Sequence, residues 1–215
     1  YEISLGLVGS EMCIRDSKIR TWVEISLNDL EHNYREISSR LPDGCQMLGV
    51  CKTNAYGHGA VRVAQRLQRA GCRWVAVNCY DEAEELRAAG VTMNILLLGP
   101  QSANIAVDLA TLGVTQSVGS IEYARELNRF LAGTGLRLDA HMKLETGMGR
   151  TGFDVHDDSH LDEMIDHLQG GFQGIQLQSS AKHTDFNRIC IREIDRSISP
   201  RAGILRVVHL LGRRK

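Results

Sequence analysis

Lys52 ends the apolar run Met47-Leu48-Gly49-Val50-Cys51 and is followed by Thr53-Asn54-Ala55-Tyr56-Gly57-His58-Gly59. A lysine so placed, with an aromatic hydroxyl and two glycines behind it, has the make-up of a cofactor-anchoring turn, because its amine can supply an imine. The residues before it read as a short buried strand, and Val61, Ala64, Leu67 and Ala70 after it fall on one helical face. In a β/α fold the carboxyl end of a strand is where a side chain reaches the pocket mouth. A second segment, His141-Met142-Lys143-Leu144-Glu145-Thr146-Gly147-Met148-Gly149-Arg150-Thr151-Gly152-Phe153, formally contains GxGxxG. A dinucleotide site would need a helix to begin on those glycines. The next residues, Phe153-Asp154-Val155-His156-Asp157-Asp158, have no helical apolar period, and Lys143 and Glu145 make the preceding strand unusually charged. The favoured reading is a glycine-rich loop that brings backbone close to a ligand and aims Arg150 at an anion.

The rest of the chain narrows the chemistry. No HExxH or other metal-ligand spacing occurs and no GxSxG elbow, so neither a metal site nor a serine nucleophile is expected. His58 and His141 lie inside the two segments, where packing and supporting hydrogen bonds are the expected roles. His32, His156, His160 and His167 sit in polar or helical surroundings suited to solvation. Trp22 and Trp74 read as strand packing. The 215 residues are 43% hydrophobic, enough for one sizeable α/β core. A formal net charge of -1 with acids and bases interspersed gives no electrostatic case for nucleic acid, which leaves small molecules as the default partners. The 6 cysteines show no CxxC pair, and several lie in apolar runs, which favours a reducing, cytoplasmic compartment. No apolar stretch is long enough to cross a bilayer as a helix.

Strand-like runs at 22–27, 46–51, 74–79, 95–98, 114–118, 138–144 and 172–177 alternate with helical patterns at 30–41, 60–70, 81–89, 103–112, 121–131 and 161–168. Asn28 with Glu31 and Asp81 with Glu84 read as N-terminal capping pairs, and Gly90 as a stop. The alternation predicts parallel strands covered by helices, either doubly wound or a (β/α) barrel, and periodicity does not choose between them. Residues 1–17 show neither period and read as a non-native leader, so they are set aside. Residues 199–215 form a basic tail without an acid. The interval 18–198 is expected to be one domain.

Together, KTNAYGHG from Lys52 and HMKLETGMGRTGF from His141 resemble the two leading motifs of alanine racemases, the fold-type III enzymes that use pyridoxal 5'-phosphate (PLP). The resemblance runs from about residue 21 to residue 174. It implies a TIM-type (β/α) barrel that holds PLP, incomplete in this chain, and a C-terminal β-domain that completes the active site of a neighbouring subunit in a homodimer. It also implies site roles. Lys52 would carry PLP as an imine and serve as acid/base on one face of the substrate α-carbon. Tyr56 would hydrogen-bond the cofactor phosphate, and Arg150 would sit beside the cofactor phenolate and the substrate carboxylate. Lys143 would be a lysine that can be carbamylated and orient that arginine, with an ordinary ion pair as the alternative. The substrate implied is alanine, supplied as D-alanine to peptidoglycan, with serine or another small amino acid as variants.

The likeness fails in places. Where the family has a Thr-His-Phe-Ala-like strand with a histidine against the cofactor ring, this chain reads Gln176-Leu177-Gln178-Ser179-Ser180-Ala181-Lys182-His183, and His183 falls beyond the strand. Resemblance ends after residue 199, before the family's remaining phosphate contacts, the arginine facing the pyridine nitrogen, and the tyrosine that serves as second base. The expectation is therefore an incomplete racemase with weak or no turnover. The competing expectations are a non-catalytic PLP carrier and an inert barrel fragment with unpaired strand edges.

Overall fold

The computed structural model describes residues 23–42, 45–145, 148–154 and 172–177. The chain enters through helix α1 (Leu27–Ser39). Its N-cap is Ser26, extended at φ −84° and ψ 105°, whose hydroxyl accepts the Asp29 N–H at 3.2 Å. This corrects two expectations. Residues 23–26 form no strand, and Asn28 lies inside the first turn, where its side-chain oxygen takes a donor from Arg66 instead of capping. Leu30 and Tyr34 seat the helix on the core, and Glu31 pairs with Arg66 at 3.2 Å to tie it to helix α2 (Ala60–Arg69).

Strands β1 (Leu48–Val50), β2 (Trp74–Val77), β3 (Asn94–Leu97), β4 (Thr115–Val118), β5 (Leu138–Met142) and β8 (Ile175–Leu177) form one sheet in that order. Every neighbouring pair in it is parallel. Helices α2, α3 (Tyr80–Ala88), α4 (Ala106–Leu112, entered through a 3₁₀ turn at Ala103–Ile105) and α5 (Ile121–Leu131) are the crossovers. Among the described strands the order never doubles back, so they show no switch point of the kind a doubly wound sheet requires. The winding is that of a (β/α) barrel. Curvature supports the same conclusion: in a flat sheet β2 and β5 would lie about 14 Å apart across three strand spacings. The Trp74 and His141 rings that these strands carry meet at a centroid distance of 5.3 Å, so the sheet is curled round its inner face.

Register fixes which residues share that inner face. Leu48, Val50, Ala76 and Leu96 form an apolar cluster with Trp74 and Leu98 against it, and the pairings Leu96 with Thr115, Thr115 with Asp139 and Ser117 with His141 carry the face round to β5. The opposite face is the larger core, where Val75, Val77, Ile95, Leu97, Val118, Leu138 and Ala140 pack under the helices. On α2 the buried residues are Ala60, Val63, Ala64 and Leu67, at i, i+3, i+4 and i+7, with Val61 at the margin rather than the centre of the stripe. Gly49 is needed for this packing, since a Cβ there would lie 2.6 Å from Leu67 Cδ1.

The expected strand at 138–144 breaks at Lys143. Residues Leu144–Glu145 (β6) leave the sheet and pair in parallel with Phe153–Asp154 (β7), closing a small loop over the end of β5. Helix α3 starts after Cys79, so Asp81 lies in its first turn rather than capping it. The expected helix at 161–168, the residues 199–215, and Gln178 to His183 lie outside the described residues.

Candidate active site

Lys52 follows the last residue pair of the β1 ladder, and its neighbour Cys51 still donates its N–H to Ala76 O at 2.7 Å. Cys51 is 1% exposed, and its thiol is pushed up to about 12 by burial first, then by Cys72 and Glu82, so it stays a neutral packing group. Beyond Lys52 the backbone turns left-handed. Thr53 (φ 54°), Asn54 (φ 52°), Ala55 (φ 52°) and Tyr56 (φ 55°) all have positive φ. For L-residues this costs about 1–2 kcal/mol each, and a β-branched residue such as Thr53 rarely adopts it. Several bonds hold the turn. Gly57 N–H donates to Thr53 O at 3.3 Å and Gly59 N–H to Asn54 O at 3.0 Å. Asn54 Oδ1 accepts the Ala60 N–H at 2.8 Å, which satisfies the start of α2, and His58 Nδ1 donates to Ala55 O at 2.9 Å. The Thr53 N–H donates to Glu82 Oε1 at 2.5 Å, across to helix α3.

The turn brings Tyr56 back beside the lysine. Lys52 Nζ lies 6.0 Å from the Tyr56 ring centroid, and the tyrosine is exposed at the rim. Five residues from Lys52 to Tyr56 thus present an amine and a phenol together at the carboxyl end of β1.

Lys143 is the first residue past β5 and donates its N–H to Val118 O at 2.8 Å. Its Nζ donates to Thr151 Oγ1 at 2.6 Å, a hydroxyl rather than the carboxylate of an ion pair. Arg150, exposed on the same loop, has its backbone N–H bound by Glu145 Oε2 at 3.1 Å. Phe153 N–H returns to Lys143 O at 2.9 Å. The glycine motif serves this fold-back. A Cβ on Gly152, at φ 135°, would lie 2.7 Å from Glu145 N and 2.8 Å from Leu144 C. Among the described residues a strand, Phe153–Asp154, and not a helix follows Gly152, so Gly149 and Gly152 do not open a helix of the kind a dinucleotide cradle needs. Lys52 with Tyr56 and Lys143 with Arg150 occupy the carboxyl ends of β1 and β5, which in a parallel barrel open on one rim.

His141 packs on Trp74 at the inner face, and burial holds its imidazole below the ordinary value, with Asp139 opposing. Among the described residues no cluster of His, Cys, Asp and Glu could hold a metal ion, and no helix is long and apolar enough to cross a membrane.

Residues 25–188 match the family model described as alanine racemase, N-terminal domain. The chain belongs to that family. Alanine racemase 2 of Caldanaerobacter subterraneus subsp. tengcongensis is 35% identical over 165 residues, covering 76% of this chain and 41% of the relative. An alanine racemase of Clostridium perfringens is 38% identical over 143 residues, 66% of this chain and 36% of the relative. The chain therefore spans about two fifths of the length of these racemases. Among solved structures, alanine racemase of Clostridium difficile 630 in complex with cycloserine superposes with a TM-score of 0.69 at 33% identity, over 74% of this chain and 43% of that one. Histidine racemase of Leuconostoc mesenteroides subsp. sake gives 0.65 at 27% identity, over 70% and 40%.

Sequence reasoning singled out Lys52, Tyr56, Lys143 and Arg150 but missed Glu82 and Glu145, the carboxylates that hold the backbone beside Lys52 and Arg150. Glu82 carries only the signature of a first-turn helix acid and Glu145 none, because the amides they hold at the site, those of Thr53 and Arg150, are distant from or folded back on their own positions.

Proposed function

We propose that this chain is the PLP-binding barrel portion of an alanine racemase, interconverting L- and D-alanine. The observation that carries the reading is the left-handed turn, a strained backbone that sets an amine and a phenol side by side on the barrel rim. The donor set suits PLP: Lys52 offers a primary amine for its aldehyde, Tyr56 a phenol for its phosphate, and Arg150 an exposed guanidinium for anionic oxygen. When bound, PLP supplies an electron sink that makes removal of the substrate α-proton feasible.

The protein's own work is positional. Lys52 would hold PLP through its side-chain amine and would carry a proton to or from one face of the substrate α-carbon. Arg150 receives the substrate carboxylate, and Lys143, free or carbamylated, steadies the loop that carries it. Racemisation also needs a proton carrier on the opposite face, which this reading places in a C-terminal domain of a partner subunit in a homodimer. The proposed setting is the cytoplasm, with D-alanine passing to peptidoglycan. Alanine is favoured as substrate by the relatives' names, and the likeness to a histidine racemase supports the same barrel serving another amino acid.

Because α-proton exchange requires only one base, it tests this half of the site. The full chain with PLP should exchange the α-proton of one alanine enantiomer for solvent deuterium, read by NMR, and Lys52→Ala should abolish it. Equal exchange in both proteins refutes the assignment, and PLP binding with no exchange in either favours a cofactor carrier.

A further inference from the structure

Glu82 lies in the first turn of α3, where a carboxylate would ordinarily do no more than satisfy the start of its own helix. One oxygen does this: Oε2 accepts the Asn78 N–H at 2.7 Å, closing the β2–α3 loop. The other does something that role does not require. Oε1 crosses to the preceding βα loop and accepts the Thr53 N–H at 2.5 Å. The Thr53 amide is the peptide that begins at Lys52. A peptide unit is planar, so fixing the Thr53 N–H fixes the Lys52 carbonyl and with it the Lys52 ψ angle.

On its other side Lys52 is held by Cys51, bonded to β2 through Ala76 O at 2.7 Å. The lysine backbone is thus gripped from both ends. Helix α3, which carries Glu82, is itself rooted by Ala83 and Leu86, both fully buried. Thr53, β-branched at φ 54°, needs such a grip, since strained backbone persists only where its surroundings over-determine it.

We propose that Glu82 is a positioning residue for Lys52: by bridging the Thr53 and Asn78 amides, its carboxylate sets the direction in which the Lys52 amine leaves the rim. The inference rests on the reading of Lys52 as the amine that takes PLP. Glu82→Gln is the informative variant, because it keeps size and shape but faces one of the two N–H donors with an NH₂. The full chain and the variant are incubated with PLP and quenched with borohydride over time. The pyridoxyl label is mapped by peptide mass spectrometry, and the pH titration of the visible absorbance band is recorded alongside thermal melting.

The expected result is a folded variant whose Lys52 labels about tenfold more slowly or worse, the scale of one lost hydrogen bond to a charged group, with a displaced pH titration of the band. Wild-type labelling rate and band in folded Glu82→Gln overturns the proposal. Should Glu82→Gln melt out, Glu82→Asp keeps the charge at the helix N-terminus but shortens the reach by a methylene. Slow labelling of folded Glu82→Asp supports the role, and wild-type labelling overturns it. If the wild-type chain takes no label at Lys52, the reading of the site falls and this inference with it, a result distinct from a labelled wild type with an equally labelled variant.

Discussion

Replacing Thr53 by glycine should stabilise the protein, although glycine substitutions usually do the reverse. At φ 54° and ψ 53° the threonine sits in the left-handed region, which costs an L-residue about 1–2 kcal/mol. Glycine removes that penalty but loses about 0.5–1 kcal/mol more backbone entropy on folding. Little else changes. Thr53 is exposed, and the bonds shown for it, N–H to Glu82 and carbonyl from Gly57, are backbone bonds that glycine retains. The balance is a gain of about 0.5–1 kcal/mol. Gly57→Ala is the mirror experiment. Gly57 has φ 89°, and nothing lies within 4 Å of an added Cβ, so its cost is conformational alone, about 1 kcal/mol. Urea denaturation of the full chain reads both, provided the slope is unchanged. If Thr53→Gly destabilises, or Gly57→Ala is neutral, the turn is not left-handed in solution and does not hold the lysine as described.

Arg87 grips four carbonyls, Leu112 O at 3.2 Å, Val91 O at 2.8 Å, Met93 O at 2.7 Å and Gly113 O at 2.9 Å. Arg87→Ala should cost about 2–3 kcal/mol in the same urea assay, discounted because part of the cluster is resolvated, and Arg87→Lys should recover less than half, since an ammonium lacks the fork. Gly152→Ala, at φ 135° and with a backbone clash at 2.7 Å, should cost at least the ~1 kcal/mol of Gly57→Ala and, in protein that remains folded, cut alanine α-proton exchange about tenfold or more, because the strain falls on the Arg150 loop. Stability should fall as pH drops below about 6.5, the ordinary histidine value, because burial depresses His141 in the folded state and the unfolded chain binds the proton first. The loss should level off once the folded pKa is passed, and His141→Gln should flatten this part of the stability–pH curve.

The barrel was legible because fully buried parallel strands read as near-continuous apolar runs, as in Trp74-Val75-Ala76-Val77 and Ile95-Leu96-Leu97. Periodicity does not encode strand order, so the choice of barrel over doubly wound sheet came from the resemblance of the two motifs, and the observed order of parallel strands bears it out. The helices were legible too, but their starts were not. Ser26 out-competed Asn28 as a cap because Asn28 is engaged by Arg66 from the next helix, a tertiary contact with no local sign. At the site, residue types announced Lys52, Tyr56 and Arg150, whereas the left-handed backbone was hidden. Thr53, Ala55 and Tyr56 carry no preference for positive φ, and only Asn54 and the glycines hinted at it. The break after Lys143 was likewise invisible, since Leu144 and Glu145 extend the strand pattern while Gly152 closes the loop from seven residues further on.

The central claim is that the Lys52 amine makes a reversible covalent bond with PLP. Peptide mapping of the full chain after PLP and borohydride tests it directly. One pyridoxyl group is expected, on Lys52, absent from Lys52→Arg protein of unchanged melting temperature. A label carried by another lysine, or none on folded protein, contradicts it.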